Sequence, residues 1–292
     1  MKFDVKNIFI LTRPHQYIKN LFIFTPLFFA GQILDVQLLL NSIIAFVAFS
    51  LSASAIYILN DYQDIEEDRQ HPRKKYRPLV EGSVSKKSAL ILMLILLATG
   101  ITLMAMLSLQ SLAILCVYII LNISYSFYLK HIAILDVNII AVGFVLRLFV
   151  GSTVTDIPLS EWIVIMTFLL ALFMALAKRR DDVLLYLNTG KKMRKVVDGY
   201  NLQLTDSAMM IMASVVIVTY ILYTTSIEVV QRMHSEHLYL TAVFVIVGIM
   251  RYLQVTLVEQ DSGSPSKIVL KDRFIQITIL AWAFSFAWII YL

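Results

Sequence analysis

The sequence carries a single cysteine, Cys116, in 292 residues, which excludes an internal disulfide and any cysteine-based metal cluster. Cys116 lies inside an apolar run, where a buried free thiol is its simplest reading. Charge is scarce too. Only 15% of residues are charged, whereas ordinary soluble domains sit near a quarter. No H-E-x-x-H, Walker loop, G-x-S-x-G or G-x-G-x-x-G occurs, and the five histidines show no metal spacing. There is no glycine-rich low-complexity tract and no stretch with the composition of a separate soluble domain.

What the chain has in place of charge is apolar length. Hydrophobic residues make up 59% of it, and the mean hydropathy is +0.77. Several nearly uncharged runs approach the roughly 20 residues that a helix needs to cross a hydrocarbon core. They are too long and continuous for the alternating strands of an outer-membrane barrel. The expected fold is therefore an all-α integral membrane protein. Nine transmembrane helices are expected, at roughly 17–32, 38–60, 87–107, 110–129, 133–152, 161–179, 207–228, 238–256 and 272–291. The first is short and interrupted by Pro26. One transmembrane domain over residues 1–292 is expected, with cap loops near 61–86 and 179–206. The N-terminus does not read as a cleaved secretion signal, because Arg13, His15, Gln16 and Lys19 break the apolar stretch behind Lys2 and Lys6.

The distribution of Lys and Arg tests this count. With nine helices, 23 of the 25 basic residues fall on one side of the membrane, leaving Arg232 opposite and Arg147 within a helix. By the positive-inside rule that side is cytoplasmic. The expectation is a multi-pass protein of the cell (inner) membrane, with its N-terminus and charged loops in the cytoplasm and Leu292 outside. The net charge of +5 then reports topology, and no nucleic-acid partner is expected.

The chemistry concentrates where the second span ends. Asn60-Asp61-Tyr62-Gln63-Asp64-Ile65-Glu66-Glu67-Asp68 holds five of the 20 acidic residues. If helix continues through it, Asp61, Asp64 and Asp68 share one face and repel one another unless a cation sits among them. Hard divalent ions such as Mg²⁺ take oxygen ligands and keep substrate phosphates in their shell. A solvated acidic cap is the alternative. Arg73, Lys74, Lys75 and Arg77 follow within ten residues, and Arg77-Pro78-Leu79-Val80-Glu81-Gly82 should fix a tight turn. Metal on one set of phosphate oxygens and Lys or Arg on the others is what a diphosphate site requires. Topology and anionic-lipid contact compete as explanations for the individual lysines.

A second constellation is Lys178-Arg179-Arg180-Asp181-Asp182 at the expected end of the sixth helix, where Lys178 and Asp182 could simply pair with each other. Asp198 and Tyr200 follow in the same loop. Lys130 closes the fourth helix behind Tyr125 and Tyr128, as a snorkelling anchor or a phosphate contact. Arg147 is the one cation deep within an expected helix, and intramembrane charges are usually functional or paired.

These residues resemble the UbiA superfamily of intramembrane prenyltransferases over essentially the whole chain. Its N-D-x-x-D-x-x-x-D pattern is met by Asn60, Asp61, Asp64 and Asp68, and its R-P-L-x-x-G turn by Arg77, Pro78, Leu79 and Gly82. The resemblance implies a nine-helix bundle binding a diphosphate through Mg²⁺ beneath cytoplasmic loops. Aromatic prenyltransferases of the family carry a second D-x-x-x-D motif; here Asp181 and Asp182 are adjacent, with no aspartate four residues on. Instead, Arg13-Pro14-His15-Gln16-Tyr17-Ile18-Lys19-Asn20, together with Lys178-Arg179, is similar to the decaprenyl-phosphate phosphoribosyltransferase branch. That branch implies a polyprenyl phosphate acceptor in the bilayer and 5-phosphoribosyl 1-diphosphate as donor. By this resemblance Asp61, Asp64 and Asp68 are expected to hold Mg²⁺, with Asn60 orienting them. Lys19, Arg73, Arg77, Lys130, Lys178 and Arg179 are expected on phosphate oxygens, and Tyr200 on the ribose. Homo-oligomers are compatible with this reading. Prenyl transfer to an aromatic acceptor and a secondary transporter remain as rivals.

Overall fold

The structure is a computed structural model that describes residues 5–69, 74–190, 195–233, 235–260 and 265–291. Among these the secondary structure is entirely helical. Eight helices are long and apolar enough to cross a membrane: Val36–Gln63, Lys86–Leu107, Leu109–Phe127, Leu135–Thr155, Glu161–Thr189, Leu202–Thr225, Leu238–Leu257 and Arg273–Ile290. They coincide with the last eight expected spans, so the chain is a multi-pass helical membrane protein. The first expected span is helical in two short pieces, a 3₁₀ helix at Pro14–Phe24 passing into an α-helix at Thr25–Phe29.

Local chemistry sets where several helices begin. Asp35 accepts hydrogen bonds from the backbone N–H groups of Gln37 (2.9 Å) and Leu38 (3.0 Å). Ser85, Ser108, Ser160 and Asn201 cap later helices in the same way. The Glu161–Thr189 helix corrects an expectation. It runs past the expected end at 179 and stops only at Gly190, so Lys178 to Asp182 are helical rather than loop. The expected 179–206 cap loop shrinks to the stretch between Gly190 and Leu202.

The chain divides into two compact units. The first comprises residues 1–130 and 146–158. In it the Val36–Gln63 helix packs along Lys86–Leu107, presenting small residues such as Ala48, Ser52 and Ala53. Lipid offers apolar surface as good as leucine does, so close backbone approach is what binds such helices. Gly100 shows how close it is. A Cβ there would lie 2.4 Å from Ser52 Oγ and 2.7 Å from the Ala48 carbonyl oxygen. Phe49, Tyr118, Leu115 and Val150 fill the core of this unit. The second unit comprises residues 131–145 and 159–292, with Leu202–Thr225 packed on Glu161–Thr189 around Phe173, Met209, Val216 and Tyr252.

Candidate active site

The acidic motif lies at the end of the Val36–Gln63 helix. The helix does not continue smoothly through it. Asp64 caps the helix, its backbone N–H donating to the Asn60 carbonyl at 3.0 Å, and a short helix, Ile65–Arg69, carries Asp68. Asp61 and Asp68 are buried at 2% and 1% exposure, which is costly for carboxylates without counter-charges.

Those counter-charges come from three parts of the first unit. Arg13 donates to Asp61 Oδ1 in a very short contact, and its guanidinium lies 5.3 Å over the Tyr57 ring. Arg77 Nη1 bridges two carboxylates, 2.8 Å from Asp61 Oδ1 and in short contact with Asp68 Oδ2. Lys74 Nζ stands 3.4 Å from Asp68 Oδ1. Lys130 Nζ, just beyond the Leu109–Phe127 helix, donates to Asp64 Oδ1 at 2.7 Å. The turn bearing Arg77 is built as its sequence suggests: Pro78 opens a one-turn helix, Pro78–Glu81, and Gly82 closes it at φ +78°, a conformation glycine adopts without Cβ strain.

Arg13 has no such freedom. It precedes Pro14 with φ 52° and ψ 56°, a left-handed conformation that costs an ordinary residue roughly 1–2 kcal/mol. The strain sits on the residue that reaches Asp61, as expected where a site over-determines its backbone.

Each aspartate therefore meets cations. Among the described residues no three acidic or histidine side chains stand close enough to hold a metal ion as they are placed. The donor chemistry nevertheless fits a hard divalent cation. The motif offers oxygen ligands only, and Asn60 Oδ1 is buried without a hydrogen-bond partner. Gln63 Nε2, beside it, is likewise buried and unpartnered.

Beneath the motif, Arg147 is 4% exposed in the Leu135–Thr155 helix. Its Nε donates to Asn20 Oδ1 at 2.7 Å and its Nη2 to the Tyr118 hydroxyl at 3.2 Å. Its guanidinium lies 4.8 Å from the centre of the Phe49 ring and 5.0 Å from that of Tyr118. Asn20 is buried and donates in turn to Ser50 Oγ at 2.8 Å. Lys19, half-buried, precedes Asn20 in the Pro14–Phe24 helix.

The second constellation belongs to the second unit. Arg179, 1% exposed, was expected to meet a phosphate, but here it is enclosed by carboxylates of its own unit. Its Nε donates to Asp136 Oδ2 and its Nη1 to Asp182 Oδ2, both at 2.5 Å. Asp182 thus pairs with Arg179. Tyr200 was expected on a ribose. Its hydroxyl donates to Asp136 Oδ1 at 2.6 Å and accepts the Ile134 N–H at 2.8 Å. Burial, and then the hydrogen bond to Asp136, raises the Tyr200 phenol above its ordinary value. Ile134 holds φ 69°, a rare conformation for a β-branched residue. Arg180 binds Asp206 Oδ1 at 2.6 Å and the Thr256 carbonyl at 2.9 Å.

Of the expected site residues, then, Asp61, Asp68 and Arg77 converge, and Asp64 meets Lys130. Asn60 sits beside them, while Arg179 and Tyr200 meet on Asp136. Lys178 lies next to Arg179 on the same helix, and Arg73 falls outside the described residues. Sequence reasoning passed over Arg13 as a site residue, although its motif had been noticed. It also passed over Asp136, whose partners lie 43 and 64 residues away.

Comparison with known proteins places the chain in a family. The UbiA prenyltransferase family pattern matches residues 21–278. The chain is 31% identical over 284 residues to the decaprenyl-phosphate phosphoribosyltransferase of Corynebacterium glutamicum, spanning 96% of this chain and 85% of that one. It is 33% identical over 288 residues to the Mycolicibacterium smegmatis protein of the same name, spanning 95% and 90%. Among solved structures, a UbiA homolog from Archaeoglobus fulgidus bound to DMAPP and Mg²⁺ superposes with a TM-score of 0.72 at 18% identity, covering 96% of this chain and 99% of that one. A digeranylgeranylglyceryl phosphate synthase superposes with a TM-score of 0.66 at 17% identity, covering 99% of both chains. By family pattern, by relatives along nearly its full length and by fold, the chain belongs to the UbiA prenyltransferase family.

Proposed function

We propose that this protein transfers a 5-phosphoribosyl group from 5-phosphoribosyl 1-diphosphate to a polyprenyl phosphate of decaprenyl type, releasing diphosphate. The product would be a lipid-linked sugar precursor for the cell envelope. The observation that carries the proposal is the interlocking of three motif aspartates with Arg13, Lys74, Arg77 and Lys130. Such a set can exchange partners: when a divalent cation takes the carboxylates, the guanidinium and ammonium groups are released to phosphate oxygens. The names of the relatives supply the substrate class.

Asp61 and Asp64 would hold Mg²⁺, with Asp68 acting directly or through water and Asn60 Oδ1 orienting the cluster. A metal bound there would neutralise the leaving diphosphate. Arg13, Arg77 and Lys130 then bind phosphate oxygens, joined by Lys74 and, in our assignment, Lys19, Arg73 and Lys178. The bond from ribose C1 to the diphosphate oxygen breaks, and an acceptor phosphate oxygen bonds to C1. A phosphate monoester is already anionic, so no strong general base is required. Catalysis comes from positioning and charge stabilisation. Arg179 and Tyr200 are enclosed by their own partners, and we assign them to positioning the Glu161–Thr189 helix.

The chain would act as one transmembrane domain in the cell membrane, with the N-terminus and motif loops cytoplasmic and the C-terminus outside. The test is purified protein given ribose-labelled donor, Mg²⁺ and polyprenyl phosphate, with label sought in the lipid phase. Lipid-linked label is expected. Its absence, alongside transfer from a prenyl diphosphate to an aromatic acid, would overturn the proposal.

A further inference from the structure

Within the acidic motif, one buried polar group has no part in holding metal or phosphate. Gln63 is the last residue of the Val36–Gln63 helix and lies between Asp61 and Asp64, at a position the N-D-x-x-D pattern leaves open. Its Nε2 is buried and has no hydrogen-bond partner. A buried donor left unpaired costs free energy that a partner would recover. A metal is not that partner. The amide nitrogen of Gln donates hydrogens and accepts nothing, and hard cations take oxygen ligands. What Nε2 calls for is an acceptor oxygen.

Helix geometry narrows which oxygen. At about 100° per residue, Asp61, Asp64, Asn60 and Gln63 follow one another around the helix in steps of roughly 60°, 40° and 60°. Gln63 therefore flanks Asn60 on the side away from the two aspartates. With the diphosphate of a donor held at Asp61 and Asp64, the group bonded to that diphosphate is the part left for Gln63. Charged oxygens already have Arg13, Arg77 and Lys130 at the aspartates. Gln63 is neutral, and a neutral donor matches a neutral acceptor such as a sugar hydroxyl. Tyr200, expected on the ribose, has its hydroxyl bound to Asp136 and the Ile134 N–H instead.

We propose that Gln63 is a specificity-determining residue: its Nε2 donates to a ribose hydroxyl of the donor and so favours a phosphoribosyl over a prenyl diphosphate. This rests on the reaction proposed above, which supplies the ribose. A prenyl group carries no hydroxyl, and seating one would leave Nε2 buried and unpaired. A site built to hydrogen-bond a substrate hydroxyl rejects the analogue lacking it for that reason. Gln63 takes no part in the bonds that break and form at ribose C1; it selects the donor.

The test uses full-length protein in lipid nanodiscs without polyprenyl phosphate, so that binding is read without transfer. Gln63→Met keeps the length of the side chain and removes its amide. Nε2 has no partner to lose, so the variant should melt at or above the wild-type temperature. Three ligands are titrated with Mg²⁺: 5-phosphoribosyl 1-diphosphate, inorganic diphosphate and dimethylallyl diphosphate. Gln63→Met should bind the first about ten-fold more weakly, the second within about two-fold of wild type, and the third at least as tightly. The 2-deoxy and 3-deoxy forms of the donor name the hydroxyl: wild type should discriminate against one of them about ten-fold, and the variant should not. The proposal is overturned if the phosphoribosyl donor binds both proteins alike, if all three ligands weaken together, or if the discrimination survives in the variant. Wild type that binds both deoxy forms as tightly as the donor overturns it without any variant. If wild type makes phosphoribosyl lipid while Gln63→Met binds the donor unchanged, the reaction assignment stands and this role of Gln63 fails. Wild type that binds no phosphoribosyl diphosphate would end both.

Discussion

Arg77→Gln tests the exchange of cation for metal at the aspartates. In the resting site Arg77 Nη1 binds both Asp61 and Asp68, whose side chains are only 3% and 2% exposed. Removing one member of a buried charge pair typically costs about 3–5 kcal/mol, because the partner charge is left in low dielectric. Asp61 keeps Arg13 and Asp68 keeps Lys74, so the loss should fall near the lower end, about 3 kcal/mol. On the scale of a few degrees per kcal/mol, the melting temperature of the metal-free protein should drop by roughly 6–10 °C. A divalent ion bound to the freed carboxylates should recover much of this. At a hundred times its Kd, a ligand that binds only the folded state contributes about 2.7 kcal/mol. The assay is thermal unfolding in detergent, with EDTA or with saturating Mg²⁺. Arg77→Gln should gain clearly more from Mg²⁺ than wild type does, and should still lose transfer activity through its missing phosphate contact. Equal Mg²⁺ stabilisation of the two proteins would refute the idea that these carboxylates hold the metal.

Other expectations follow from the same geometry. Asp61→Asn and Asp64→Asn should each lower transfer by at least about a hundred-fold while leaving insertion intact; near-normal turnover in either would remove the metal assignment. Tyr200→Phe strips a partner from both Asp136 and the Ile134 N–H and should cost about 1–3 kcal/mol of stability. It should also alter the alkaline limb. The Tyr200 phenol is raised above 10.0 in the folded state, so its contribution is full below pH 10.0 and is lost as pH climbs through the higher folded value. Melting curves between pH 8 and 11 should therefore fall less steeply for the variant, and parallel curves would contradict this. Gly100→Leu must displace Ser52 or the Ala48 carbonyl and should abolish the monodisperse protein in size-exclusion chromatography.

Most of the fold could be read from the sequence, because crossing a membrane imposes a length and a polarity that few other structures share. From Ala89 to Leu107 only Thr99, Gly100 and Thr102 interrupt the apolar run, which leaves little choice. The sequence was less informative wherever charge is balanced at a distance. Lys178 to Asp182 looked like the charged end of a helix, and the helix instead runs to Thr189 because Asp136, Asp182 and Asp206 neutralise Arg179 and Arg180. No local pattern links Asp136 to a residue 43 positions on. The same holds at the motif: the spacing of Asp61, Asp64 and Asp68 points to a cation, but not to Arg13 as the one that reaches Asp61. Arg13 was legible only as part of a longer run ending in Lys19 and Asn20. The partners of Arg147 were equally hidden, since Asn20 lies 127 residues before it.

The most direct measurement follows the two halves of the donor separately. Phosphoribosyl diphosphate labelled once in the ribose and once in the diphosphate is incubated with the protein, polyprenyl phosphate and Mg²⁺. The account predicts that ribose label enters the lipid phase, that diphosphate label stays in water in equal amount, and that EDTA stops both. Diphosphate label in the lipid, or transfer undiminished by EDTA, would contradict it.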